Sequence, residues 1–223
     1  LKYHGGVSLK ELTLENTNAL EKGFANLEKH IENMKHFHLN PIVAINRFVS
    51  DTDAEVELLK QLCEQKGVSV SATTVWQDGG GGALELAEMV AKSANACKSC
   101  FAPVYTSGQP VEEKIQTIAQ KFYGADAVDY SVQALKDLQR IKTLGLEHLL
   151  VCMAKTQKSL SDDERLLGRP SGFTLHIREI EIAAGAGFII PIAGNIMRMP
   201  GLPITPSAEH IDIDNEGNIT GLF

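Results

Sequence analysis

Apolar positions in the first part of the chain follow two different periods. Leu20, Phe24, Leu27, Ile31 and Met34 recur every three or four residues, an apolar stripe that predicts one long helix over residues 9–37. Asn26, Lys29, Glu32 and Asn33 fall on its other faces. Residues 42–45 (IVAI) are a short, β-branched apolar run, the composition of a strand covered on both faces. After a polar break, Val56, Leu59 and Leu62 restore the helical period over 53–66. Thr52 followed by Glu55 three residues later is the signature of a capping box, and Gly67 stands where a helix stops. Residues 68–75 read as a second strand and 83–98 as the next helix. A strand–helix–strand–loop–helix order predicts parallel pairing with right-handed crossovers.

Residues 103–148 read as mostly helical, with helices over 110–123 and 131–144 stopped by Gly124 and Gly145, the second capped by Ser131. Three apolar strands follow, at 149–153, 173–183 and 188–192, the last two separated by the Gly185-Ala186-Gly187 bend. Residues 161–172 are a charged loop, and 197–206 are Pro-rich and irregular. The end reads as a hairpin turning at 215–217, and the opening LKYHGG as a strand end entering a glycine turn. The expected fold is α/β, a mostly parallel sheet flanked by helices, with a C-terminal strand hairpin.

Composition narrows the partners. The 223 residues are 43% hydrophobic and 22% charged, with a net charge of −7. That balance argues against a general nucleic-acid binder, which needs clustered Lys and Arg on phosphates. No apolar run reaches the roughly 20 residues of a membrane span. Four cysteines, Cys63, Cys97, Cys100 and Cys152, are too sparse for a disulfide framework. Cys97-x-x-Cys100 lacks the second pair that a zinc site needs, so these read as ordinary intracellular thiols. His30, His36 and His38 pair with no acid at helical spacing, and no metal is assigned.

Candidate chemistry gathers after the first strand. Ligands of open α/β sheets bind at the carboxyl ends of strands, and residues 46–51 (NRFVSD) lie there. Phe48 has no evident core to fill and reads as a ligand contact. Asn46 and Arg47 read equally as nucleotide contacts or as loop hydrogen-bonding groups, and Asp51 first as a turn or helix-start residue and second as a substrate contact. Trp76 ends the second strand and precedes four glycines, Gly79 to Gly82, which suit either close ligand approach or plain flexibility. Lys155 and Thr156 read first as a solvated strand end and second as phosphate contacts. Arg169 and Ser171 are candidates for an adenine-side loop. His4 reads as either a hydrogen-bonded histidine or a catalytic group.

The strings VAINRFVSDTDAE, TTVWQDGGGGALELAE, VCMAKTQKSLSD, GFTLHIREIEIAAGAGF and MPGLP closely resemble formate–tetrahydrofolate ligases, and the likeness runs along essentially the whole chain. The resemblance implies a P-loop-NTPase-like ligase that uses ATP to form formyl phosphate, which the N10 amine of tetrahydrofolate attacks to give 10-formyltetrahydrofolate. It implies Mg²⁺ with ATP, activation by K⁺, no prosthetic group, a homotetramer and a cytoplasmic location. Phe48 and Trp76 match the aromatic pair that holds the pterin. Two departures stand out: the family usually carries a charged residue in its glycine loop, as in GGEGG, and SATT replaces the usual residues before Trp76. No G-K-[ST] phosphate loop occurs in these residues. The chain is therefore expected to be the C-terminal portion, with 1–38 ending the nucleotide domain and 39–223 forming the folate-side domain. It is expected to be inactive alone. The alternative is a non-catalytic scaffold or oligomerisation module.

Overall fold

In the structure, a computed structural model, residues 1–96, 100–196, 205–217 and 219–221 are described. Cys97 and the MPGLP string lie outside them. Two short 3₁₀ turns, Lys2–Gly5 and Leu9–Glu11, precede α1 (Thr17–Lys35). Then come β1 (Ile42–Asn46), α2 (Asp53–Gln65), β2 (Ser69–Thr73), a single helical turn α3 (Val75–Asp78), a 3₁₀ turn at Gly79–Ala83, and α4 (Leu84–Ala96). The second half holds α5 (Val111–Ile118), which continues as a π turn at Ala119–Tyr123, then β3 (Ala127–Tyr130) and α6 (Val132–Thr143). It closes with β4 (Leu150–Val151), β5 (Thr174–Ala183), β6 (Phe188–Ala193) and the hairpin β7 (Asp212–Ile213) and β8 (Ile219–Thr220).

β1 and β2 pair in parallel, with Ile45 opposite Ala72 and Asn46 opposite Thr73. The larger sheet has the order β3-β5-β6-β4 and is mixed, which corrects the expectation of a mostly parallel sheet. β5 and β6 are antiparallel because residues 184–187 are too few for a crossover, and Gly187 closes the turn at φ 76°. β3 was missed within the stretch read as helical. Its four residues draw their pairing from β5, not from a pattern of their own. β4 is shorter than expected, but its ladder continues, with Cys152 N–H donating to Ile189 and Ala154 N–H to Pro191.

The N-terminal turn and α1 also differ from expectation. LKYHGG is a 3₁₀ turn against α1, not a strand end. A Cβ at Gly5 would lie 1.8 Å from the Ala19 carbonyl oxygen, so only glycine permits that approach. α1 begins at Thr17 because Asn16 caps it, its side chain accepting from Ala19 N–H at 2.9 Å.

Two hydrophobic clusters form. Leu20 and Phe24 of α1 pack with Ile45, Val56, Leu59, Cys63 and Val70. The second cluster joins Val111 and Ile115, Leu138 and Ile141, and Leu175, Ile177 and Ile189 across the mixed sheet. α1 faces both. Its polar positions, which fall on the faces away from the apolar stripe, carry the second contact. Asn26 donates to Gly168 O, Lys29 to Lys121 O and Asn33 to Phe122 O, at 2.9, 2.6 and 3.0 Å. Met34, expected in the stripe, is exposed. Within the second lobe Lys114 is fully buried, donating to the carbonyls of Ser107, Glu147 and Leu149.

Glu55 joins the first lobe together. Its carboxylate is 3% exposed, pairs with Lys2 at 2.9 Å, and accepts the N–H of Asn16 at 2.8 Å. It also completes the capping box with Thr52. Burial alone pushes this carboxyl up, but the Asn16 N–H, Lys2 and Thr52 N–H outweigh it and hold it below the usual carboxylate range. Glu55→Ala leaves Lys2 buried and unpaired and is expected to cost about 3–5 kcal/mol in urea unfolding. Because the folded pKa lies below the unfolded one, Glu55 stabilises fully above about pH 4.3 and loses that effect as pH falls through its folded value. A wild-type minus Glu55→Ala stability difference that does not shrink in acid would refute this role.

Candidate functional site

Phe48 and Trp76 are brought together by the parallel pairing of β1 and β2. Arg47 N–H donates to Thr73 O at 3.1 Å, extending the ladder one step beyond β1. Phe48 follows immediately, and its N–H donates to Asp51 Oδ2 at 2.8 Å. Asp51, read as a turn or helix-start residue, closes the turn and fixes the backbone that carries Phe48. Trp76 sits on α3, and its indole N–H donates to the Arg47 carbonyl at 2.8 Å. The Trp76 side chain and the Phe48 backbone are therefore both anchored within one loop.

They line a common open cleft of about 260 Å³ with Arg47, Val49, Thr74 and Asp78. Phe48 is 57% and Trp76 55% exposed, so neither ring belongs to a core. On the side of Asn46 and Ser50, Phe48 also borders a second recess of about 390 Å³, closed by Leu1, Leu20 and Glu55. The second recess pairs Phe48 with Tyr3 and a mainly apolar lining, whereas the first pairs it with Trp76 across the ends of β1 and β2. Gly79 to Gly82, read as a loop, form a 3₁₀ turn that brings Gly82 against Thr74. Thr74 N–H donates to Gly82 O, and a Cβ at Gly82 would lie 2.6 Å from Thr74 atoms.

The proposed charged contacts are distributed differently. The Arg47 guanidinium donates to Asp53 Oδ1 at 2.6 Å and to Asp51 O, so it braces the start of α2. Asn46 is the exposed last residue of β1. Arg169 makes a two-pronged pair with Glu32, both contacts at 2.7 Å. Glu32 lies about 24 Å along α1 from Asn16, which abuts the Phe48 loop through Glu55. Arg169 and the exposed Ser171 are thus not gathered with Phe48. His4 accepts the Gly168 N–H on Nδ1, and burial lowers its pKa, so it is a neutral hydrogen-bonded histidine.

Lys155 and Thr156 differ from a solvated strand end. Thr156 is buried, and Lys155 is half-buried over the Tyr123 ring, 5.1 Å from its centroid. Its ammonium donates to the carbonyls of Thr156 and Ser159. A recess of about 690 Å³ beside Thr156 is lined by Asp129, Asp162, Asp163 and Glu164 against Arg178 and His176, a predominance of carboxylates that disfavours phosphate. Sequence reasoning missed Asp78 and Thr74. Their only signal was a hydroxyl and a carboxylate at i, i+4 around the Trp.

Among the described residues, no group of three or more His, Cys, Asp or Glu side chains converges as a cation's ligand set, and no helix is long and apolar enough to cross a membrane. The family model for formate–tetrahydrofolate ligase matches residues 1–223.

Burial pushes Lys155 down to about 8, against the opposing charge of Asp162. Between that value and about 10.4 the unfolded chain holds the extra proton, so stability is expected to rise with pH across the window. With ¹³C-methylated lysines, one NMR resonance should titrate near pH 8 and vanish in Lys155→Gln. Absence of any lysine titrating below about pH 9 counts against the assignment.

Proposed function

The chain belongs to the formate–tetrahydrofolate ligase family, and from that premise we propose that it supplies the folate-binding half of an ATP-dependent ligase. The observation that carries this reading is the shared cleft of Phe48 and Trp76 at the carboxyl ends of two adjacent parallel strands. A pterin inserted there stacks on both rings, each contact contributing about 0.5–1.5 kcal/mol beyond area burial. The Trp76–Arg47 hydrogen bond presets one wall and the Phe48–Asp51 hydrogen bond the other, so little ordering remains for the ligand to impose.

The reaction has two steps. A formate oxygen attacks the γ-phosphorus of ATP and ADP leaves, giving formyl phosphate. The N10 amine of tetrahydrofolate then attacks the formyl carbon, loses its proton, and phosphate departs. In this reading Phe48 and Trp76 hold the pterin so that N10 faces the formyl group. Mg²⁺ would neutralise charge on the nucleotide phosphates, and K⁺ activates. Neither ion is assigned to a residue of this chain. Asn46, Arg47, Arg169 and Ser171 remain candidates for nucleotide or phosphate contacts, and release of Arg169 from Glu32 is required for its part. The homotetrameric state and cytoplasmic location belong to the same reading and rest on the family alone.

Phosphoryl transfer depends on groups that position the phosphates and neutralise their charge, and these residues contain no G-K-[ST] phosphate loop to supply them. The 223-residue chain by itself is therefore proposed not to turn over. A second reading, an oligomerisation or scaffold module without chemistry, draws on α4, where Leu84 and Val90 are exposed.

Trp76 is the single tryptophan, so its emission reports the cleft directly. Titration with tetrahydrofolate is expected to quench it saturably, and Phe48→Ala should weaken the apparent Kd about tenfold. No quenching at millimolar ligand favours the scaffold reading. Formation of 10-formyltetrahydrofolate from ATP and formate by the chain alone overturns the proposed division of labour.

A further inference from the structure

The wall of the Phe48–Trp76 cleft contains one carboxylate, Asp78, at the end of the helical turn that carries Trp76. Its Oδ2 accepts the Thr74 hydroxyl at 2.6 Å. That bond holds the carboxylate on the cleft side, and among the described residues Oδ1 has no hydrogen-bond partner. Asp78 is exposed, and its backbone N–H is engaged by Thr74 O at 2.8 Å, so its position is set by the turn and not by chain packing.

Two aromatic faces select any flat heterocycle, because every such ring has a π-face. A carboxylate beside them selects one kind of edge. A carboxylate offers two acceptor oxygens and no donor, and is matched by two adjacent N–H groups in a plane. The aminopyrimidinone edge of a pterin carries such a pair, at N3 and the 2-amino group. The Arg47 carbonyl near the rings already accepts the indole N–H, and the Gln77 amide in the same lining offers one acceptor oxygen beside a donor NH₂, without the paired acceptors or the charge of a carboxylate.

We propose that Asp78 is the specificity-determining residue of this cleft, pairing with the N3–H and 2-amino group of the bound pterin while Thr74 orients it. This rests on the reading of the cleft as a pterin site. Rings that lack the paired donors stack equally well but leave the carboxylate desolvated and unpaired, and are rejected on that account. Discrimination comes from the edge and general affinity from the faces.

The test compares two probes on the 223-residue chain, tetrahydrofolate and its 2-desamino-2-methyl analogue, both followed by Trp76 quenching. The unaltered chain is expected to favour tetrahydrofolate about tenfold, a value at the low end for hydrogen bonds to a charged group because Asp78 is exposed. Asp78→Asn keeps an acceptor for Thr74 but replaces the second oxygen by a donor. It should shrink that preference by weakening tetrahydrofolate about tenfold and the analogue, which keeps the N3–H alone, by clearly less. Thr74→Val should shrink the preference while the melting temperature holds. Equal affinity of the unaltered chain for both probes overturns the proposal, as does a parallel loss of both in Asp78→Asn. In each of those outcomes quenching persists and the aromatic clamp survives. Absence of quenching by either probe overturns the clamp and this proposal together.

Discussion

One buried carboxylate, Glu55, sets the geometry on which the candidate site depends. It meets the Lys2 ammonium, the Asn16 N–H at the start of α1, and the Thr52 N–H at the start of α2. Three chain segments thus converge on one side chain that is 3% exposed. A buried ion pair is weak evidence of net stabilisation against an apolar alternative, but removal of one partner is severe. Its value here is positional. The capping box fixes where α2 begins, and β1 fixes where the strand ends, so residues 47–51 have no freedom to shift along the chain. Arg47 adds a brace by donating to Asp53 on the first turn of α2, where the helix dipole already favours acid. Phe48 is displayed because both ends of its loop are held.

α1 does the corresponding work between the two clusters. One face is apolar and completes the core of β1, β2 and α2. The other is polar and buried, and its Asn26, Lys29 and Asn33 donate to carbonyls of the second lobe. Those carbonyls lie at chain turns, where backbone acceptors lack strand partners, so donors on a rigid helix satisfy them. Arg169 adds a charged contact to Glu32 on the same side. A junction built from hydrogen bonds of defined length specifies orientation more than it adds stability. It places the mixed sheet and its acidic recess away from the aromatic cleft.

The features legible in the sequence were those with a local cause. The Thr52–Glu55 capping box, the Ser131 cap and the Gly187 turn each follow from residues within a few positions, and each stands as read. Phe48 and Trp76 were legible as ligand candidates because an aromatic at a strand end has nothing to cover. What was not legible has a distant cause. β3 is a strand because β5 pairs with it, and AVDY alone gives no periodic signal. Asn26, Lys29 and Asn33 lie off the apolar stripe and show no partner until the carbonyls from residues 121, 122 and 168 are brought to them. The direction of β6 follows from a short connection, which the sequence displayed as a Gly-Ala-Gly bend and which a prior for parallel order obscured.

The exposure of the two rings also limits what the cleft can do. A fully buried aromatic covers about 150–250 Å², so each half-exposed ring leaves on the order of 100 Å² uncovered. At about 25 cal/mol per Å², covering both supplies roughly 5 kcal/mol. Loss of translational and rotational freedom on association costs about 4–15 kcal/mol. Stacking at this cleft therefore supplies a general but modest affinity for flat rings, and lasting attachment requires further groups beyond the ring faces. The clamp sets direction, and the remainder of the ligand's contacts set residence.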